Sequence, residues 1–320
     1  MIALDANGAD QGAEAVAQGA RLSGLEVEIF GPPLPGISND EEPARAVRSR
    51  EDASIVQAAR AVAEGRADAL VSPGPTGATL VASLLHIKRM HGVHRPAIAV
   101  LLPIPGARPT LLLDAGANVE VRPEHLVQFA YMGVQFMGGV HGVEHPRVGL
   151  LSVGEEAKKG TPDVIAAHER LAADASLKFI GNVEGTDVTK GVADVIVTDG
   201  FTGNVALKLM EGTASTVVNA IREAIRSGSV SSVGGLLIRG RLGVLRDQID
   251  PNKTGGAILL GVRKPVVIAH GSSSPEGIAN ALRLAQRAVD QQMVERTAAL
   301  LEQHGALRSA PAASFAESHD

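Results

Sequence analysis

Ala67-Asp68-Ala69-Leu70-Val71-Ser72-Pro73-Gly74-Pro75-Thr76-Gly77 is the stretch whose reading decides the fold. A short apolar run stops at a cluster of Ser, Pro and Gly, and a helical pattern follows. The order is strand, turn, helix, and it recurs in both directions from this point. Residues 2–4 are apolar and end at Asp5-Ala6-Asn7-Gly8-Ala9-Asp10, with a helical pattern over 13–22. Further strands are expected at 25–30, 97–102, 110–113, 148–151, 177–180, 194–198 and 266–269. Helices are expected over 53–64, 123–137, 161–172, 204–226 and 275–301, with Pro123 suited to a first helical position. Residues 33–43 read as a loop. This alternation predicts an α/β fold with a mostly parallel sheet and helices on both faces.

Composition agrees. Hydrophobic residues make up 45% of the chain, but aromatics only 2%, so the apolar mass is Ala, Val, Leu and Ile, as buried parallel strands require. No cysteine is present, which excludes disulfides, thiolate metal sites and a cysteine-bound acyl intermediate. The net charge of −5 gives no basic nucleic-acid footprint. No basic and apolar leader opens the chain, and no segment approaches the roughly 20 apolar residues of a membrane span. A cytoplasmic protein that touches a membrane only from its surface is expected. A single domain over 1–305 is expected, with a disordered Ala-, Ser- and Pro-rich tail over 306–320.

Ligands of parallel sheets sit beyond the carboxyl ends of the strands. Here those ends carry Gly-rich polar turns, which singly are what any turn needs and together outline a cleft rimmed by N–H groups and small polar side chains. Helix N-termini in such a cleft suit an anion, phosphate above all. Neither a Walker loop nor a dinucleotide fingerprint is in place. The turns offer Asp5, Gly8 and Asp10 from the first, and Gly74, Thr76 and Gly77 from the third strand as phosphate-binding candidates. Asn118, Asp199, Gly203 and His270 complete that set. Lys159, in Lys158-Lys159-Gly160, suits an oxyanion or a leaving group, with a solvated loop lysine as the alternative. Asn204 reads as a helix cap able to turn its amide to substrate. The histidines at 86, 91, 94, 125, 141, 145, 168 and 270 show no metal-ligand spacing, so no metal site is expected.

Residues 234–250 differ. Ile238, Leu242, Leu245 and Ile249 form one helical stripe, widened by Leu237 and Val244 and flanked by Arg239, Arg241 and Arg246. A cationic rim on an apolar face fits a helix lying on an anionic membrane, as an excursion over 230–252. Leu237, Ile238, Leu242 and Leu245 are its membrane-contact candidates. A core or dimer-interface helix has the same periodicity.

Several of these segments carry a family resemblance. They are Ile180-Gly181-Asn182-Val183-Glu184-Gly185, Thr198-Asp199-Gly200-Phe201-Thr202-Gly203-Asn204-Val205, and Leu113-Asp114-Ala115-Gly116-Ala117-Asn118 with Arg122-Pro123-Glu124-His125-Leu126. Gly255-Gly256-Ala257-Ile258-Leu259-Leu260-Gly261-Val262 and Ala269-His270-Gly271-Ser272-Ser273 complete them. In this order they resemble the bacterial phosphate acyltransferases of phospholipid synthesis (PlsX). The resemblance implies an isocitrate/isopropylmalate dehydrogenase-like fold, a homodimer, peripheral membrane association and no cofactor. It implies transfer of an acyl group from acyl carrier protein to inorganic phosphate, with Lys159 and Asn204 matching the catalytic lysine and asparagine. A catalytically impaired binding homologue and a dehydrogenase of the related fold are the alternatives. The chain departs from the family at its opening, where Asp-Ala-Met-Gly-Gly-Asp-His has become Asp5-Ala6-Asn7-Gly8-Ala9-Asp10-Gln11. It departs again at Pro75 in the turn after the third strand, and in a short segment over 31–43.

Overall fold

The computed structural model describes residues 1–228, 231, 234, 236–241, 243, 253 and 255–308. Its frame is one ten-stranded sheet, ordered β2-β1-β3-β10-β9-β4-β5-β8-β6-β7. The strands are β1 (Ile2–Asp5), β2 (Val27–Phe30), β3 (Ala69–Ser72), β4 (Ala97–Leu102) and β5 (Thr110–Leu113), then β6 (Arg147–Leu151), β7 (Lys178–Val183), β8 (Val195–Val197), β9 (Ala257–Leu260) and β10 (Val266–Ile268). The described helices are α1 (Gly12–Ser23), α2 (Pro43–Ser49), α3 (Ser54–Ala63), α4 (Thr76–Ala82), α5 (Pro123–Gly139), α6 (Pro162–Ala172), α7 (Gly200–Arg226), α8 (Pro275–Asp290) and α9 (Met293–Gln303). α4 runs directly into a π-helix, Ser83–Ile87.

Alternation along the strands splits the apolar residues between two faces. Ile2, Leu4, Val71, Leu113, Val148 and Val197 join one core with residues of α1, α5, α6, α8 and α9. Ala3, Leu70, Ile98, Leu259 and Val266 pack against α2, α3 and α4 on the other. On α8 the buried Ile278, Ala281, Leu282 and Ala285 fall at helical spacing, and Ser274 Oγ accepts from Gly277 N (3.2 Å) to cap the start.

The fold class expected from sequence is the one observed: six of the nine pairings are parallel. The sheet is mixed at its centre, however. β9 pairs antiparallel with β10 and with β4, and β4 pairs antiparallel with β5. The parallel blocks β2-β1-β3-β10 and β5-β8-β6-β7 therefore point in opposite senses along the sheet. At its edge β7 carries an extra residue: Val148 pairs with Phe179 but Leu150 with Asn182, and Gly181 between them has φ +92°.

Three expectations need correction. The helix over 275–301 is two helices, because Gln292 adopts a left-handed conformation (φ 49°) between them. The strand β9 and the helix α2 were not expected; α2 is started by Glu42, whose carboxylate accepts from Ala44 N and Arg45 N. The ordered chain also runs past 305. Ala306 and Leu307 pack on the core, Gln128 Nε2 donates to Ala306 O (2.7 Å), and Arg308 N donates to Gly92 O (2.7 Å). Residues 309–320 lie outside the described residues.

The contact of α1 with α8 is tightest at Gly19, where a Cβ would lie 2.6 Å from Ile278 Cβ and 2.8 Å from Pro275 O. Gly19→Ala would gain about 1 kcal/mol of helix propensity, but it forces the two helices apart. A net loss of about 1–3 kcal/mol is expected, read as a lower urea midpoint at unchanged m.

Candidate active site

The reversal at the sheet centre sorts the polar turns into two sets. The first set follows β1, β3 and β10. The Asp5 carboxylate is buried and bonded on both oxygens: Ser54 Oγ donates to Oδ1 (2.6 Å), Ser72 Oγ to Oδ2 (2.8 Å), and Asn7 N to Oδ1 (3.2 Å). Ser72 Oγ in turn accepts from Gly74 N (3.0 Å) and lies 3.2 Å from Thr79 Oγ1. Gly8 (φ +87°) lies so close to Gly74 that a Cβ there would be 2.7 Å from Gly74 Cα. The β10 turn joins through Asp10 N, which donates to Gly271 O (2.8 Å). Gln11 donates its Nε2 to Ser272 O (3.4 Å). His270 is exposed, with its Nδ1 2.7 Å from Ser272 Oγ. Asp5, Gly8, Asp10, Gly74, Thr76, Gly77 and His270 thus gather at one end of the first block. The N–H groups of Thr76 and Gly77 open α4 with no partner among the described residues.

The second set follows β5, β8, β6 and β7. Asp114 is buried and collects five hydrogen bonds of 2.8–3.1 Å, from the backbone N–H groups of Ile98, Gly116, Ala117 and Asn118 and from Asn118 Nδ2. Burial pushes its pKa above the usual carboxylate range, against the pull of those donors. Asn118 Nδ2 also donates to Pro96 O (2.7 Å), and Asn118 O accepts from Gly200 N (2.7 Å). A Cβ at Gly203 would lie 1.9 Å from Asp114 O, so only glycine fits. Asn204 Nδ2 donates to Ala115 O (3.3 Å) beside Gly116.

Lys159 belongs to the loop after β6. Its carbonyl accepts from Ser152 Oγ (2.9 Å), and the loop is held further by Asn182 Nδ2, which donates to Glu156 O (2.9 Å). Its side chain is exposed and makes no hydrogen bond or ion pair among the described residues. Strands β6 and β8 are neighbours, so Lys159 and Asn204 follow adjacent carboxyl ends.

Four sequence-based expectations change. Asn204 is not a cap: α7 begins at Gly200 because Asp199 accepts from Thr202 N (2.8 Å) and Thr202 Oγ1 (2.7 Å). The N-terminus of α7 is therefore largely satisfied internally. Asp5 and Asn118 face inward and hold turns rather than reach a ligand. The ten site candidates do not share one strand edge, because the two blocks run oppositely. Ser54, Thr79, Asp114 and Asn182, which sequence reasoning did not select, carry the buried bonding; their one signal is a small polar residue set inside or just after an apolar run. An open cleft of about 320 Å³ lined by Gln135, Lys178 and Arg296 lies at the amino-terminal ends of β6 and β7, away from both sets. Among the described residues no three His, Asp or Glu side chains are grouped to hold a metal.

Burial pushes the Asp5 carboxyl up to about 6, with its three hydrogen bonds opposing. The folded state then holds this proton more tightly than the unfolded state. Its contribution is full below the unfolded value of 3.8 and is lost as pH rises to about 6. Relative to Asp5→Asn, the parent should lose on the order of 3 kcal/mol of stability across that window and none above it, as read from denaturant midpoints at several pH values.

A family model described as "Fatty acid synthesis protein" matches residues 35–296. The chain is 41% identical over 317 residues to the phosphate acyltransferase of Anoxybacillus flavithermus, covering 92% of this chain and 96% of that one. It is 43% identical over 281 residues to the phosphate acyltransferase of Lacticaseibacillus casei, covering 88% and 82%. Among solved structures, a phosphotransacetylase from Streptococcus pyogenes is similar in fold, with TM-score 0.56 at 18% identity over 92% of this chain and 94% of that one. A 4-hydroxythreonine-4-phosphate dehydrogenase from Klebsiella pneumoniae gives 0.53 at 14% identity over 90% and 99%. These two are likenesses of fold, and they agree with the dehydrogenase-like architecture. On the sequence matches, which span most of both partners, this chain belongs to the phosphate acyltransferase family.

Proposed function

We propose that the protein transfers a fatty acyl group from the thioester of acyl carrier protein to inorganic phosphate, in phospholipid synthesis. The observation that carries the mechanism is the position of Lys159 and Asn204 after adjacent strands of one parallel block. A phosphate oxygen attacks the thioester carbonyl carbon. The tetrahedral intermediate then expels the carrier thiolate, which takes up the proton given up by the attacking hydrogen phosphate, so an O–C bond forms as the C–S bond breaks. Lys159 orients phosphate or meets the departing thiolate. The second N–H of the Asn204 amide and nearby backbone N–H groups face the developing oxyanion. The transfer balances without a cofactor.

Sheet twist supports a role for both sets of turns. Neighbouring strands rotate by about 20–25°, so the five steps from β3 to β8 accumulate about 100–125° and swing the carboxyl ends of the second block toward those of the first. Leu207, less than one helical turn beyond Asn204, packs against the same apolar cluster as Ala78 and Leu80 of α4. The open N–H groups of Thr76 and Gly77 then suit phosphate.

The homodimer rests on α7. This 27-residue helix, about 40 Å long, leaves Val205, Leu209, Val217 and Ile221 exposed at four-residue multiples, and a second copy is their partner in this reading. Membrane contact rests on the segment beyond α7. Residues 236–241 are helical, and Leu237 is 81% and Ile238 47% exposed. Leu242 and Leu245 lie outside the described residues. Among the described residues no helix is long and apolar enough to cross a membrane.

Acyl-phosphate formation from acyl carrier protein thioester and phosphate tests the reaction. Lys159→Ala should lower the rate about 10²–10³-fold with the fold intact, and near-normal turnover would refute its role. Val217→Asp with Ile221→Asp should halve the mass measured by light scattering; an unchanged mass places the dimer contact elsewhere.

A further inference from the structure

From Ala69 to Leu113 the chain contains no acidic residue, although the whole protein carries a net charge of −5. The centre of that stretch, His86-Ile87-Lys88-Arg89-Met90-His91-Gly92-Val93-His94-Arg95, folds onto other cations. Arg263 N donates to Lys88 O (3.0 Å) and Arg263 Nε to Arg89 O (3.1 Å), while Arg89 bridges Val262 as an isolated β-pair. Arg308 N donates to Gly92 O (2.7 Å). The rings of His94 and His125 lie 5.5 Å apart, and His125 Nδ1 accepts from Arg122 N (3.1 Å). Lys88, Arg89, Arg95, Arg122, Arg263 and Arg308 are all exposed, and none forms a salt bridge among the described residues. Glu124, the acid nearest the two histidines, sits 4.0 Å from Arg170.

This surface adjoins the second set of turns. Pro96, next to Arg95, accepts through its O from Asn118 Nδ2, and Asn118 O accepts from Gly200 N at the start of the helix that carries Asn204. We infer that the exposed cations at 88, 89, 95, 122, 263 and 308 dock an acidic face of the carrier protein whose thioester is the substrate. The inference rests on the reaction proposed above. A cationic rim beside the cleft steers an acidic partner and fixes its orientation, so that the acyl thioester enters past Asn118. A lipid surface fits less well, because these cations stand on loops and an isolated bridge rather than on the rim of an amphipathic helix.

The test titrates the full-length protein with dye-labelled acyl carrier protein by fluorescence anisotropy. In parallel, acyl-phosphate formation is followed from acyl-pantetheine, a thioester without the carrier. Arg95→Glu with Arg308→Glu should weaken carrier binding roughly tenfold or more and leave acyl-pantetheine turnover unchanged. Arg95→Lys with Arg308→Lys should keep binding, which separates charge from misfolding. Raising salt from 50 to 300 mM should weaken the parent and have less effect on the Glu variant. Carrier binding within twofold of the parent in the Glu variant overturns the inference. So does a Glu variant that binds carrier normally but loses phosphatidylglycerol vesicles. A parent that makes no acyl-phosphate from either thioester overturns the reaction instead, and the titration still decides the docking surface.

Discussion

The buried carboxylate of Asp114 is the constraint on which the second half of the molecule depends. Its five donors come from β4 and from the turn after β5. An unpaired carboxylate in this position would cost several kcal/mol, so the turn has little freedom to relax. The same residue's carbonyl leaves no room for a side chain at Gly203, which sets the approach of α7. Asn204 owes its place to this chain of contacts rather than to its own amide. Asp5 does the equivalent work in the first half, tying β1, β3 and α3 through two hydroxyls.

The two carboxylates are alike in chemistry and opposite in setting. Each closes the end of a strand in one parallel block, and the blocks are joined head to head through the antiparallel β9 and β4. A sheet built this way presents two sets of polar turns that a single parallel sheet would collect at one edge. The acyltransferase reading uses both, with the first supplying open N–H groups and the second a lysine and an amide. The family supplies the reaction; the turns say which groups are free to take part. Asp5 and Asp199 are not free, since both carboxylate oxygens of each are bonded within the protein, and the Asn118 amide nitrogen is taken up by Pro96 O and Asp114.

Element type was legible for all but β9 and α2, because apolar runs and Gly, Pro and Ser punctuation are local signals. Strand direction was not. β9 and β10, which pair antiparallel, are short apolar runs of the same kind as β1 and β3, which pair parallel. The break at Gln292 left no mark, because Asp290-Gln291-Gln292 continues a helical pattern until one residue turns left-handed. α7 starts four residues ahead of the expected position: Gly200 and Gly203 read as turn residues, whereas they are helical and needed for close approach. The turns of the site were readable as polar and Gly-rich. Whether a given carboxylate or amide in them faced in or out was not, since composition is blind to which side of a turn a side chain takes. The cations at 88–95 were equally visible as residues, but their meaning depended on Arg263 and Arg308 arriving from far along the chain.

The extra residue in β7 bears on a hazard every open sheet carries. An outermost strand displays unpaired backbone donors and acceptors that another polypeptide can annex by adding a strand. With Gly181 displaced from the ladder and Lys178 exposed near the strand's start, the rim is interrupted and charged, a poor template for such growth. Restoring a regular, uncharged rim there would leave the interior untouched and expose the protein to fibrous self-association.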